Sequence, residues 1–129
     1  MILKDLVGEH KLSGVDYSNG CDDGAMSVLF CLDGVTYEAV EDPADGYRSY
    51  MNELVVSEKR CNNTFPPQPV VCEWTDSESY WGDDDILYIK DSKNKMTVLK
   101  IGTCNSTDWY PWCEMQYIPE NMSCNQQEV

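Results

Sequence analysis

Apolar residues along most of this chain either alternate with polar ones or gather in short runs, the signatures of half-buried and fully buried strands. His10 to Tyr17 alternates apolar Leu12 with polar neighbours before a Ser-Asn-Gly break, and Ala25 to Leu32 is an apolar run suited to a buried strand. Asp33-Gly34 follows directly. A two-residue type I′ turn needs positive φ at both central residues, which Asp-Gly tolerates, so the dipeptide predicts a hairpin. Val35 to Val40 is the returning strand, with Val35, Tyr37 and Ala39 on one face.

Further along the pattern is mixed. Glu41 to Gly46 reads as a loop around Pro43 and Gly46. Tyr47 to Ser57 admits two readings. Tyr50, Met51, Leu54 and Val55 fit one face of a short helix, the preferred reading, while Leu54 to Val56 also suits a strand. Asn62 to Pro69 holds three prolines and is expected to be an irregular connection, because proline cannot donate to a ladder. Val70 to Trp74 and Ile86 to Lys90 read as strands. Met96 to Thr103 alternates Met96, Val98 and Lys100 against Thr97, Leu99 and Ile101, and the polar turn Asp91 to Lys95 makes a second hairpin. Cys113 to Ile118 is a final strand ended by Pro119. The expected fold is mainly β: a single antiparallel twisted sheet or meander of about 6–8 strands with one or two short helices. Residues 1–122 form one globular domain and 123–129 a frayed polar tail.

Charge changes this picture from a fold to a surface. The chain of 129 residues carries 23 acidic against nine basic residues, a formal net charge of −14. The excess is segregated, with eight acids and no base between Lys11 and Arg48, and six acids and no base between Arg60 and Lys90. Such an imbalance costs self-repulsion in the folded state and exceeds what solubility requires. Hydrophobic content of 42 % keeps the chain in the globular class and out of the disordered one.

Three acidic clusters are candidate partner-binding elements. Asp83, Asp84 and Asp85 stand before a predicted strand, with Trp81 beside them and Asp76 and Glu78 preceding. Asp22 and Asp23 form the second, and Glu41, Asp42 and Asp45 the third, where Pro43 and Gly46 point to turn chemistry. Carboxylates on a rigid sheet present charge at spacings comparable to nucleic-acid phosphates, so the expected partner is a basic nucleic-acid-handling protein. Nucleic acid itself would be repelled. Trp109, Tyr110 and Trp112, around Pro111, either cap the core or line a binding surface.

Chemistry beyond charge is sparse. His10 is the single histidine, and its Leu-Val-Gly-Glu-His-Lys-Leu setting offers no nucleophile context; phosphate-binding glycine loops are missing. The seven cysteines form no Cys-x-x-Cys pair, which argues against zinc and for free thiols, with a disulfide-bonded secreted form as the alternative. Asp16, Ser18, Gly20 and Asp22 are spaced like the start of a calcium loop, but Ser27 stands where the bidentate glutamate belongs. No catalytic residue, metal or cofactor is expected. The start, Met-Ile-Leu-Lys-Asp, meets charge at once, and no apolar run approaches bilayer length, so a cytoplasmic protein is expected with no membrane contact.

Several short stretches resemble small uncharacterised accessory proteins of tailed bacteriophages and prophages: Leu6 to His10, Asp33 to Tyr37, Glu41 to Tyr50, and Ile101 to Pro111. The resemblance spans about Leu3 to Met122. It implies a setting in host bacterial cytoplasm and brings no activity or site residue with it. In that setting the acidic surface suggests an inhibitor of a nucleic-acid-binding antiviral component of CRISPR type. The competing class is a virion or assembly component without inhibitory role.

Overall fold

The Asp-Gly hairpin forms as its sequence dictates. Asp33 and Gly34 take φ of 55° and 82°, and the strands they join pair in register from Leu32↔Val35 to Ser27↔Val40. The computed structural model of the chain describes residues 1–18, 25–43, 48–75, 84–105 and 110–123. Ten strands run through them: β1 (Gly8–Ser18), β2 (Ser27–Leu32), β3 (Val35–Val40), β4 (Asp42–Pro43), β5 (Ser49–Tyr50), β6 (Leu54–Val56), β7 (Thr64–Trp74), β8 (Asp85–Asp91), β9 (Thr97–Cys104) and β10 (Trp112–Tyr117). Eight make one antiparallel sheet in the order β10-β9-β8-β7-β1-β2-β3-β6; β4 and β5 pair separately. Helical structure among the described residues is confined to 3-10 turns at Leu3–Leu6 and Pro119–Asn121. The chain is therefore mainly β, as its periodicity predicts.

The sheet is strongly curled. Four strand spacings separate β1 from β10, about 19 Å across a flat sheet, yet the rings of Tyr17 and Tyr117 meet edge to face at 6.3 Å. Curling wraps one core: Leu12, Val15, Phe30, Leu32, Leu87, Ile89, Leu99 and Ile101 are all buried. β9 is buried on both faces, Val98 as fully as Leu99. Its neighbour β8 crosses it so closely that a Cβ on Gly102 would fall 2.6 Å from Ile86 Cα and closer still to the Asp85 carbonyl oxygen.

Two segments depart from the sequence reading. Where a short helix is expected over Tyr47 to Ser57, the described part is extended as β5 and β6. Its backbone groups serve the sheet edges instead: Ser49 N–H donates to Pro111 O at 3.1 Å, and Leu54 N–H donates to Met1 O at 2.9 Å. The segment thus spans from edge strand β10 to edge strand β6, with Met51 buried between them and its N–H on Thr103 Oγ1 at 2.9 Å. Tertiary bonding along the gap outweighs a weak helical period of four residues. Val55 and Val56, β-branched, face solvent.

The proline-rich segment is a strand, not an irregular connection. β7 pairs with β1 from Thr64↔Gly14 to Cys72↔Gly8, while its pairing with β8 begins only at Val70. Pro66, Pro67 and Pro69 therefore fall where one side of the strand has no ladder partner, the place a missing N–H is tolerated. Asp42–Pro43 likewise pairs as β4 inside an expected loop.

The β8–β9 hairpin turns around Asp91, a buried carboxylate. It accepts Lys93 N–H at 2.8 Å and Asn94 N–H at 3.1 Å on Oδ1, and Ser123 N–H at 2.9 Å on Oδ2. Ser123, where fraying is expected to begin, is thereby tied to the sheet; residues 124–129 lie outside the described ones.

Candidate functional site

β8, β9 and β10 are in register across the sheet, so residues at one end of each become neighbours. Asp85 pairs with Thr103, and Thr103 with Cys113. The row continues past the edge strand, because Cys113 N–H donates to Ser49 Oγ at 3.0 Å and Ser49 pairs with Pro43. Two acidic clusters far apart in sequence, Asp84–Asp85 and Glu41–Asp42, thus flank the start of β10. That start carries the aromatic pair Tyr110 and Trp112, 46 % and 36 % exposed. Of the two readings for this aromatic stretch, a core cap does not describe these two rings. Trp109 lies outside the described residues.

Two of the described acids, Asp84 and Glu41, are held by backbone donors. Asp84 Oδ1 accepts Asn105 N–H at 2.8 Å, fixing the carboxylate beside the end of β9. Glu41 Oε1 accepts Met26 N–H at 3.0 Å while Glu41 N–H donates to Met26 O at 2.7 Å. The Glu41 carboxylate also sits against the Cys113 thiol, which burial first and then this charge push up to about 11. A bond from an N–H leaves a carboxylate its full negative charge and removes its freedom, so these acids are fixed anions. Glu41 is a structural acceptor as well as a surface charge, in line with the turn chemistry its cluster suggests.

Beside them lies a depression of about 370 Å³ lined by Val40, Glu41, Asp42, Tyr50, Asn52 and Glu53. Its described lining residues carry three carboxylates and no basic side chain. Arg48, next to β5, brings one positive charge near this end. Lysines elsewhere neutralise other acids: Lys59 with Glu38 at 2.9 Å, Lys90 with Glu73 at 2.9 Å, and Lys100 with Glu114 at 2.5 Å. Lys93 and Lys95 occupy the opposite end of β8 and β9, roughly 20 Å from Asp85 at strand rise. Acids thus gather at the starts of β8 and β10 beside Arg48, while Lys93 and Lys95 stand at the far end of β8 and β9 next to Asp91.

Seven of the predicted site residues, Asp22, Asp23, Asp45, Asp76, Glu78, Trp81 and Asp83, lie outside the described residues. The four that are described, Glu41, Asp42, Asp84 and Asp85, are brought to one end. Tyr110 and Trp112 join them there, which no local signal announces.

His10 has a different setting. Nδ1 lies 2.6 Å from Asp33 Oδ2, and Nε2 lies 2.8 Å from Leu6 O. Both partners are oxygens, so the two ring nitrogens are engaged on opposite sides and the ring is held between Asp33 and Leu6. The hydrogen bond from His10, with that from Lys11 N–H, holds the Asp33 carboxyl below the usual carboxylate range. Ser92 lines the same 280 Å³ depression, where both ring nitrogens already have partners other than its hydroxyl. Among the described residues no group of three or more His, Cys, Asp or Glu could hold a metal ion. Asp16, first in the calcium-like spacing, accepts Asn62 N–H and Asn63 N–H instead. No helix among the described residues is long and apolar enough to cross a membrane. No protein-family model, curated protein or solved structure matches this chain.

Proposed function

We propose that the chain is a non-enzymatic binding protein whose acidic, aromatic sheet end engages a basic surface of a nucleic-acid-handling protein. The observation that carries this reading is the convergence of Glu41, Asp42, Asp84 and Asp85 on exposed Tyr110 and Trp112. Fixed carboxylates attract and orient lysine and arginine side chains. The rings add contact area at low entropy cost and stack on guanidinium groups. A basic protein that normally grips phosphates would accept such an end in their place. With the phage resemblance, this makes the chain an inhibitor acting in bacterial cytoplasm on an antiviral nucleic-acid-binding component. Engagement of both nitrogens of His10 supports the non-enzymatic part of the reading.

The test is capture of partners from bacterial lysate, followed by competition with DNA or RNA. Nucleic acid should displace this protein, and binding should weaken steeply between 0.1 M and 1 M salt as the Debye length falls from about 10 Å to about 3 Å. The combined Asp84→Lys and Asp85→Lys change should abolish capture. A captured partner that binds nucleic acid normally while holding this protein would refute mimicry. Stoichiometric presence in purified phage particles would favour the virion class.

A further inference from the structure

After β6 the chain crosses back over the outer face of β3, β2 and β1 before entering β7. Three ties hold this strap down: Ser57 N–H donates to Thr36 O at 2.9 Å, Lys59 Nζ bonds Glu38, and Asp16 accepts the N–H groups of Asn62 and Asn63. Cys61 lies between the second and third of them.

Its seat is Gly14. A Cβ on Gly14 would meet Cys61 Cβ at 3.1 Å and Cys61 Sγ at 3.4 Å, so the Cys61 side chain fills the place where residue 14 has none. Directly across the ladder from Gly14 stands Cys31. Residues paired across a ladder point to the same face, with Cβ positions about 5 Å apart. On β2 that face is the outer one, because Phe30 and Leu32 point into the core and Cys31 is only half-buried. Cys61 is half-buried too, and the charge of Cys31 contributes to raising its pKa. The two thiols, thirty residues apart in sequence, therefore share one spot beneath the strap.

We infer that Cys31 and Cys61 form a disulfide under oxidation by a low-molecular-weight disulfide, locking the strap onto the sheet. Burial and Asp16 push Cys61 up to about 11, so the first attack falls to Cys31. The Cys31 thiolate breaks the S–S bond of the small disulfide, forming a mixed disulfide and releasing one small thiolate. Cys61 sulfur then attacks the Cys31 sulfur, and its proton goes to the second small thiol as that leaves. The protein loses two electrons and two protons, and the small disulfide is reduced to two thiols. In reducing cytoplasm the dithiol is the resting form.

The full chain is incubated with oxidised glutathione, alkylated, cleaved on the N-terminal side of aspartate and analysed by mass spectrometry. That cleavage separates Cys21 from Cys31, and fragmentation of the linked peptide distinguishes Cys61 from Cys72. The expected product is a Cys31–Cys61 peptide lighter by two hydrogens, formed by native protein and suppressed in urea. The lock should raise the folding equilibrium constant by roughly 100-fold. Gly14→Ala, which displaces Cys61, should lower the yield several-fold, and the thiol titre in urea shows the lost linkage independently of folding. Recovery of both cysteines alkylated, or preferential linkage of a different pair in native protein, would overturn the inference.

Discussion

Replacement of Asp91 by asparagine tests how much of this fold rests on one buried acid. The carboxylate gathers Lys93 N–H, Asn94 N–H, Ser123 N–H and the Ser123 hydroxyl, closing the β8–β9 turn and fastening the chain after Pro119–Asn121. Asparagine keeps one acceptor oxygen, which can serve Lys93 and Asn94. Its NH2 group would then face the Ser123 N–H, donor against donor. Losing a charge-assisted bond worth about 1.5–3 kcal/mol and leaving a buried donor unmet puts the cost at about 3 kcal/mol. With a urea slope of about 1.5–2 kcal/mol per molar, the unfolding midpoint should fall by roughly 1.5–2 M. Burial disfavours the Asp91 anion, but the hydrogen bonds from Ser123, Asn94 and Lys93 outweigh it and lower its pKa. The stability it contributes is therefore complete above the unfolded carboxylate value, about 3.9, and is lost as pH falls through the lower folded value. Urea titrations should show a constant gap between wild type and Asp91→Asn from about pH 7 to pH 5, narrowing below about pH 4. A variant within about 0.5 kcal/mol of wild type, or a gap unchanged in acid, would refute the assignment.

Two further outcomes follow from single positions. Gly102→Ala should fail to accumulate as folded protein, since its φ of 153° is strained for any L side chain and the new Cβ would collide with the β8 backbone. A soluble variant with wild-type circular dichroism and midpoint would contradict the close crossing. His10→Ala, which removes both ring contacts, should lower stability by about 1 kcal/mol in urea unfolding. An unchanged midpoint would show that the Leu6 and Asp33 bonds contribute nothing in solution.

Local pattern determined much of this protein. The β2–β3 and β8–β9 hairpins were legible because a two-residue Asp-Gly turn and a polar Asp91–Lys95 turn each separate runs of strand period, and both signals are local. The segregation of charge was legible for the same reason. Tertiary structure decided what local pattern could not. Three prolines in β7 are acceptable only because β8 has not yet joined that side of the strand, and the pairing that decides this, Val70 with Asp91, joins residues 21 apart in sequence. Ser49 to Val56 is extended because two sheet edges needed bridging, and that need arises only once the sheet curls. The joining of Glu41 and Asp42 to Asp84, Asp85 and Trp112, and of Cys31 to Cys61 over Gly14, follows from strand order and register. Register is set by which faces the whole sheet buries, and no window of sequence contains that information.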